Sequence, residues 1–223
     1  MSRTADLLAA QDDFDIEPIP GLPEKLPEGE HILWSGEPDW RAIALDVFHL
    51  RAIAIYAAVI ITWRFTTNLY DGGGIFEALV GTGIVAAVLG TGLAILTVLA
   101  LATAKSARYT ITNKRVVMRI GVALTLTINL PFKQILSANY RTMTFGTGGI
   151  ALQMAESGGL GYVVLWPHVR PFKLSNPEPM LRGIKDGERV ARILATALTA
   201  SHSEEAPQIH IKAPARRADP VAA

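Results

Sequence analysis

The side chains best suited to chemistry near neutral pH are five histidines, His31, His49, His168, His202 and His210. No two of them stand at metal-ligand spacing, and Asp46 and His49, three apart, place one histidine near a carboxylate. A neutral His49 could hold a metal-centred pigment; the simpler expectation is an interfacial pair with Asp46 at a helix end. The chain has no cysteine, which excludes a thiol nucleophile, a disulfide framework and thiolate metal sites. The run GTGG at 146–149 lacks the lysine and the helix start that make a phosphate loop. Neither a nucleophile elbow, a kinase motif nor a dinucleotide fingerprint occurs. The sequence therefore predicts no catalytic residue, no metal site and no cofactor.

The chemistry on offer is adhesive instead. In WPHVRPF (166–172) two prolines fix an extended loop carrying Trp166, His168, Arg170 and Phe172. Aromatic and arginine side chains dominate interface energies, so these four are candidate partner-binding residues. The competing expectation is that Trp166 and Phe172 finish the core. EHILWSGEPDWR (30–41) adds Trp34 and Trp40 to the candidates, and could itself be the first strand of a β domain.

Which elements would position them? Half of the 223 residues are hydrophobic and 18% are charged. That is too apolar for an ordinary soluble domain and too charged for a chain wholly in lipid. Residues 78–104 form a run of 27 without a charge, and about 20 suffice to cross a bilayer. A second span is expected at about 47–63, ending on Trp63 and Arg64, with the other at about 78–101. Basic residues flank the outer ends, with Arg41 and Arg51 before the first span and Lys105, Arg108, Lys114, Arg115 and Arg119 after the second. This bias predicts a hairpin (42–104) with both termini cytoplasmic. Small residues four apart, Ala54, Ala58 and Thr62 in one span and Ala86, Gly90 and Ala94 in the other, are expected to face each other within the hairpin, the competing expectation being that a stripe docks against another protein's helix. The N-terminus lacks the basic start and apolar core of an export signal.

After Ala107 the period changes to two. RYTIT and RVVMRIG read as strands around Asn113-Lys114, LTLTINL (124–130) and GIALQMA (149–155) alternate, and YVVLW (162–166) reads as a buried strand. From Asp186, Val190, Ile193, Leu194, Ala197 and Leu198 fall on one helix face. The fold class expected is an α+β membrane protein: a two-helix hairpin plus an antiparallel β domain (105–200) with a C-terminal capping helix, as in pleckstrin-homology-like domains. Residues 1–17 and 201–223 are expected to be disordered, and 18–41 a cytoplasmic segment. Residues 1–50 carry three basic side chains against eleven acidic, whereas 105–223 carry sixteen against seven. Of the basic excess, Lys105, Arg108, Arg115 and Arg119 are expected to face anionic lipid.

GLPEKLPEGEHILWSGEPDWRA, YTITNKRVVMRIGVALTLTINLPFKQI and LWPHVRPFKLSNPEPMLRGI resemble the PuhB family of purple phototrophic bacteria, over roughly residues 18–200. The YTIT-NKR hairpin is also similar to the broader bacterial pleckstrin-homology-like class. The resemblance implies a multi-pass protein of the bacterial inner (intracytoplasmic) membrane that acts, without catalysis, in assembly of the photosynthetic reaction centre and its core light-harvesting antenna. Its implied partners are reaction-centre polypeptides, the H subunit favoured, the core antenna and membrane lipids, with a homodimer allowed and no nucleic acid. The reading of a different class is a membrane-anchored lipid-sensing or stress-related protein with the same β domain.

Overall fold

The computed structural model describes residues 26–155 and 161–205. Chain order is β1 (Ile32–Gly36), α1 (Trp40–Asp46), α2 (Leu50–Tyr70), α3 (Ile75–Ser106), β2 (Arg108–Thr112), β3 (Arg115–Ile120), β4 (Leu126–Pro131), β5 (Ile135–Thr142), β6 (Gly148–Met154), α4 (Tyr162–Leu165), β7 (Met180–Ile184) and α5 (Gly187–Glu205).

The strands form two antiparallel sheets, ordered β1-β2-β3-β4 and β5-β6-β7. β1 precedes the helices in sequence yet pairs with β2 after them, with Ser35 opposite Thr110. The helical hairpin is thus an insertion between two neighbouring strands. Alternation fills the core: Tyr109 and Ile111, then Val116, Met118 and Ile120, then Ile128 and Leu130 all point inward and are buried. The second sheet adds Ile150, Leu152, Leu181 and Ile184, and α5 closes the layer with Val190, Leu194 and Ala197.

α2 and α3 are long and apolar enough to cross a membrane. They pack on each other, but large side chains such as Ile55, Val59, Trp63, Ile84, Val88, Ile95 and Val98 stay exposed around them. At 1.5 Å per residue, α2 is about 30 Å long and the 32-residue α3 about 48 Å. The C-terminal end of α3 continues to the β domain and is gripped there by α1 and the residues just after it, through Ile43, Ala44 and Phe48 against Ala100 and Ala104. α1 starts with an Asp39 cap whose side chain accepts from the Arg41 amide. Two further ties hold it to the second sheet: Asp39 N donates to the Gly183 carbonyl at 2.8 Å, and Asp46 accepts from the Thr144 amide and hydroxyl.

Several expectations need correction. YVVLW is not a buried strand: Tyr162–Leu165 is a single helical turn, with Val163 and Val164 exposed. A short apolar run bounded by Gly161 and Pro167 suits either conformation. The first helix runs to Tyr70, so the link is only Asp71–Gly74, and residues 42–46 belong to α1 rather than to the hairpin. Lys105 and Ser106 are still α3. The small-residue stripes do not meet: Ala54, Ala58, Thr62, Gly90 and Ala94 are exposed, while Ala57, Ala78 and Thr82 are buried. Residues 201–205, expected in the tail, continue α5. The segments 1–17 and 206–223 lie outside the described residues.

Candidate functional site

The loop that the sequence singled out has an inner and an outer face. On the inner face His168 is completely buried, its Nδ1 2.6 Å from the Tyr109 hydroxyl of β2. The Arg182 amide of β7 approaches the same hydroxyl at 3.4 Å, and this fits a hydroxyl that donates to His168 and accepts from Arg182. The Arg182 guanidinium is buried too and donates to the Val169 carbonyl at 2.6 Å. Burial, reinforced by the Arg182 charge, pushes the His168 imidazole down to about 3, so it is neutral at physiological pH. Burial also raises the Tyr109 hydroxyl well above its usual range. Such groups do not exchange protons near pH 7; they fix the loop to the sheet.

Glu178 completes the clamp. Arg170 reaches it at 2.9 Å and Lys173 at 2.5 Å, across a backbone bond from Arg170 N to Glu178 O. Burial alone would raise this carboxyl, but the hydrogen bonds and charges of Lys173 and Arg170 outweigh it and hold the group below its ordinary value. On the outer face Phe172 is 97% exposed and Trp166 about half so, with Trp166 edge-on to Phe48 at 5.5 Å.

The predicted partner-binding residues therefore do not form one patch. His168 belongs to the core, a correction that follows from Tyr109 and Arg182 supplying its surroundings. Trp166 and Phe172 do not finish the core. Trp34 is half-buried against it, lying so close under Gly36 that a Cβ there would come within 2.5 Å of the ring. Trp40 opens α1 with Arg41 stacked 5.8 Å over its ring. The basic candidates divide as well. Lys105 is exposed at the end of α3. Arg108 pairs with Glu37. Arg119 sits opposite Arg108 and is half-buried. Arg115 donates to Glu30 at 2.9 Å, a carboxylate only 3% exposed that also accepts from the Thr112 hydroxyl. Because β3 runs back toward α3, Arg115 lies at the far end of the strand from Arg119, about 13 Å away, and it clamps the segment before β1 rather than facing lipid. Asp46, offered as the partner of His49, serves Thr144 instead.

Sequence reasoning missed Tyr109, Glu30, Glu178 and Arg182 as the polar anchors. The inward phase of YTIT pointed at Tyr109; nothing local marks the two glutamates as buried. It also missed a groove of about 650 Å³ between α5 and the β1/β2–β3 end of the first sheet. Leu33, Ile193 and Ala197 line its apolar part, and Lys114, Arg189 and Arg192 its basic part, Arg192 being paired with Glu188 at 2.6 Å on the helix surface.

The model of the family described as "Bacterial PH domain" matches residues 42–198, which take in both long helices and the strands after them. The chain belongs to the bacterial PH domain family. A Rhodobacter capsulatus protein described as "Uncharacterized 23.7 kDa protein in puhA 5'region" is 38% identical over 198 residues, covering 88% of this chain and 92% of that one. Among solved structures, a duf1696 family protein with a pleckstrin-homology domain from Shewanella loihica covers 42% of this chain and 68% of its own, at 15% identity and a TM-score of 0.27. In this bacterial PH domain the family match begins at Ala42, so β1 lies outside it although it completes the first sheet.

Proposed function

We propose that this chain is a membrane-anchored, non-enzymatic assembly factor for a photosynthetic reaction centre and its core antenna. The observation that carries the reading is the relative at the puhA locus of Rhodobacter capsulatus, aligned over most of both chains. It agrees with the PuhB resemblance of the sequence.

In this reading α2 and α3 cross the inner membrane, because both are long and apolar enough to span it and, away from their mutual contact, large apolar side chains are exposed among the described residues. Arg41, Arg51, Lys105 and Arg108 lie at the end of the hairpin nearer the β domain, so that domain and both termini face the cytoplasm. The β domain presents the α5 groove, whose apolar lining and basic rim suit an acidic amphipathic segment of a reaction-centre polypeptide, the H subunit favoured. A lipid sensor is the weaker alternative: Arg108 and Arg115, two of its four expected headgroup contacts, are committed to Glu37 and Glu30.

The test is deletion of the gene in its host. Assembled reaction centre should fall, with core antenna reduced as a consequence, while pigment synthesis continues. Normal reaction-centre levels in the deletion strain would end the assembly reading.

A further inference from the structure

The end of the β domain nearest the helices carries an apolar surface that none of the described residues covers. α3 leads into β2 across one residue, Ala107, and Arg108 pairs with Arg119. The β3–β4 turn, residues 121–125, therefore lies beside the helix exit. Gly121 makes this turn possible: its φ is +114°, and a Cβ there would lie 2.0 Å from the Leu124 carbonyl oxygen. The turn holds Val122 and Leu124 outward, Leu124 being 87% exposed. Leu124, Val164 and Trp166 line one shallow recess, and Trp166 touches Phe48, two residues before α2 begins. Val163, 85% exposed, stands on the same helical turn as Val164.

We infer that Val122, Leu124, Val163, Val164 and Trp166 form a bilayer-contacting face that seats the β domain in the headgroup–acyl boundary. The inference rests on the membrane reading above. Three observations select lipid as the occupant. The uncharged run of α3 ends at Ala104, so Lys105 marks the hydrocarbon edge, and this end of the sheet begins three residues later. The patch is continuous with the helices through the Trp166–Phe48 contact. Finally, 120–131 and 161–169 contain no charged side chain, so the segments that carry the patch would bury no ionised group of their own, while the Arg108–Glu37 pair and Arg119 stand at the same end of the sheet and Lys105 and Arg51 lie close in the chain, all at the level of the headgroups. A tryptophan at this level is the side chain that interfaces favour.

The absence of cysteine makes the test direct. Leu124→Cys and Val163→Cys, both at exposed positions, are spin-labelled in the full chain and reconstituted into vesicles of phosphatidylcholine and phosphatidylglycerol. Collision with oxygen is compared with collision with a water-soluble nickel chelate. Leu136→Cys, on β5 after β4 has run away from the helices, is the aqueous reference, and Val59→Cys, in mid-α2, the hydrocarbon reference. The expected result is an oxygen-to-nickel ratio at 124 and 163 several-fold above that at 136 and below that at 59. If 59 is hydrocarbon-like while 124 and 163 match 136, this inference fails and the membrane reading stands. If 59 itself is aqueous, the membrane reading fails with it. Low collision with both reagents at 124 and 163 would mean a protein partner covers the patch, and overturns the assignment to lipid.

Discussion

Lowering the pH from 7.5 to 5.0 should destabilise the β domain through one buried ring. His168 has no exposed surface, and its folded pKa of about 3 lies below the ordinary 6.5. A histidine depressed in the folded state is protonated first in the unfolded state. Its stabilising effect is therefore complete above about pH 6.5 and is lost as pH falls through the window down to about 3. At pH 5.0 an unfolded histidine is almost fully protonated and His168 in the fold is not, which costs about 2 kcal/mol; the limiting loss, below both values, is about 5 kcal/mol. Any folded value below about 4 gives nearly the same loss at pH 5.0. Glu178 does not confuse the measurement. Its carboxyl is depressed below 4.5, so its contribution disappears only as pH falls beneath that.

Guanidinium unfolding of the full chain in detergent, followed by tryptophan fluorescence, reads the effect. With a slope near 4 kcal/mol/M, about 2 kcal/mol lowers the midpoint by about 0.5 M. His168→Gln keeps a polar group beside the Tyr109 hydroxyl but cannot titrate. It should be less stable than the parent at pH 7.5 and flat between pH 7.5 and 5.0. A variant that loses as much as the parent over that interval would refute the assignment, because the titrating group would then lie elsewhere.

Two other perturbations follow from the geometry. Arg115→Ala takes from the buried Glu30 carboxylate its ion pair and leaves it the hydrogen bond from the Thr112 hydroxyl; because Arg115 is partly exposed, the expected loss is about 1–3 kcal/mol, and a double-mutant cycle with Glu30→Ala should return a coupling of about 1–2 kcal/mol in the same unfolding assay. Gly121→Ala forces a side chain into a positive-φ turn against the Leu124 carbonyl and should cost about 1–3 kcal/mol or more, whereas Gly72→Ala, also at positive φ but with open space around it, should cost less; equal midpoints for the two would remove the steric argument.

The parts of the fold that were legible in the sequence are those where a period meets a single interface. β4 alternates in sequence, and in burial from Ile128 to Leu130, and α5 carries its apolar stripe on a polar helix, so each announces the face it buries, whereas β2, β3 and β6 show their core-filling residues by alternation but bury most of the other face as well. β5 is the opposite case: from Leu136 to Thr142 its side chains are largely exposed, so ILSANYRT gives no inward phase to read. β7 is hidden because MLRGI is buried at every position and contains Arg182 and Gly183, the latter at positive φ. The two long helices were legible as apolar spans but not in their ends, since the first runs on to Tyr70 and the second from Ile75 to Ser106, nor in their orientation. They are apolar all round, so spacing could not tell Ala57, which is buried, from Ala54 and Ala58, which are not. The site suffered similarly. Aromatic content marked the 166–172 loop, yet which of its side chains face inward depends on Tyr109 and Arg182, 59 and 14 residues from His168. A sequence window cannot hold both.

The insertion of the hairpin between β1 and β2 bears on what the β domain can do. Ser35 and Thr110, 75 residues apart, meet only because α2 and α3 return the chain to its starting point. The sheet is thus completed by the hairpin rather than tethered to it. Two chain crossings join the parts, and one of them is a single residue, Ala107. Between them α1 is wedged, with Ile43 and Ala44 on α3, Asp39 on Gly183 and Asp46 on Thr144. Reorienting the domain would break these contacts together, and that would cost several kcal/mol of apolar burial and hydrogen bonding. The α5 groove is consequently held at a fixed distance from the helices. Lys114, on its rim, stands six residues along the chain from Arg108, about 20 Å beyond the helix exit. A sensor on a leash needs no such rigidity. The proposed assembly factor, holding a partner's acidic segment at a set distance from the bilayer, would need it, and the wedge formed by α1 is the element whose removal should separate the two roles.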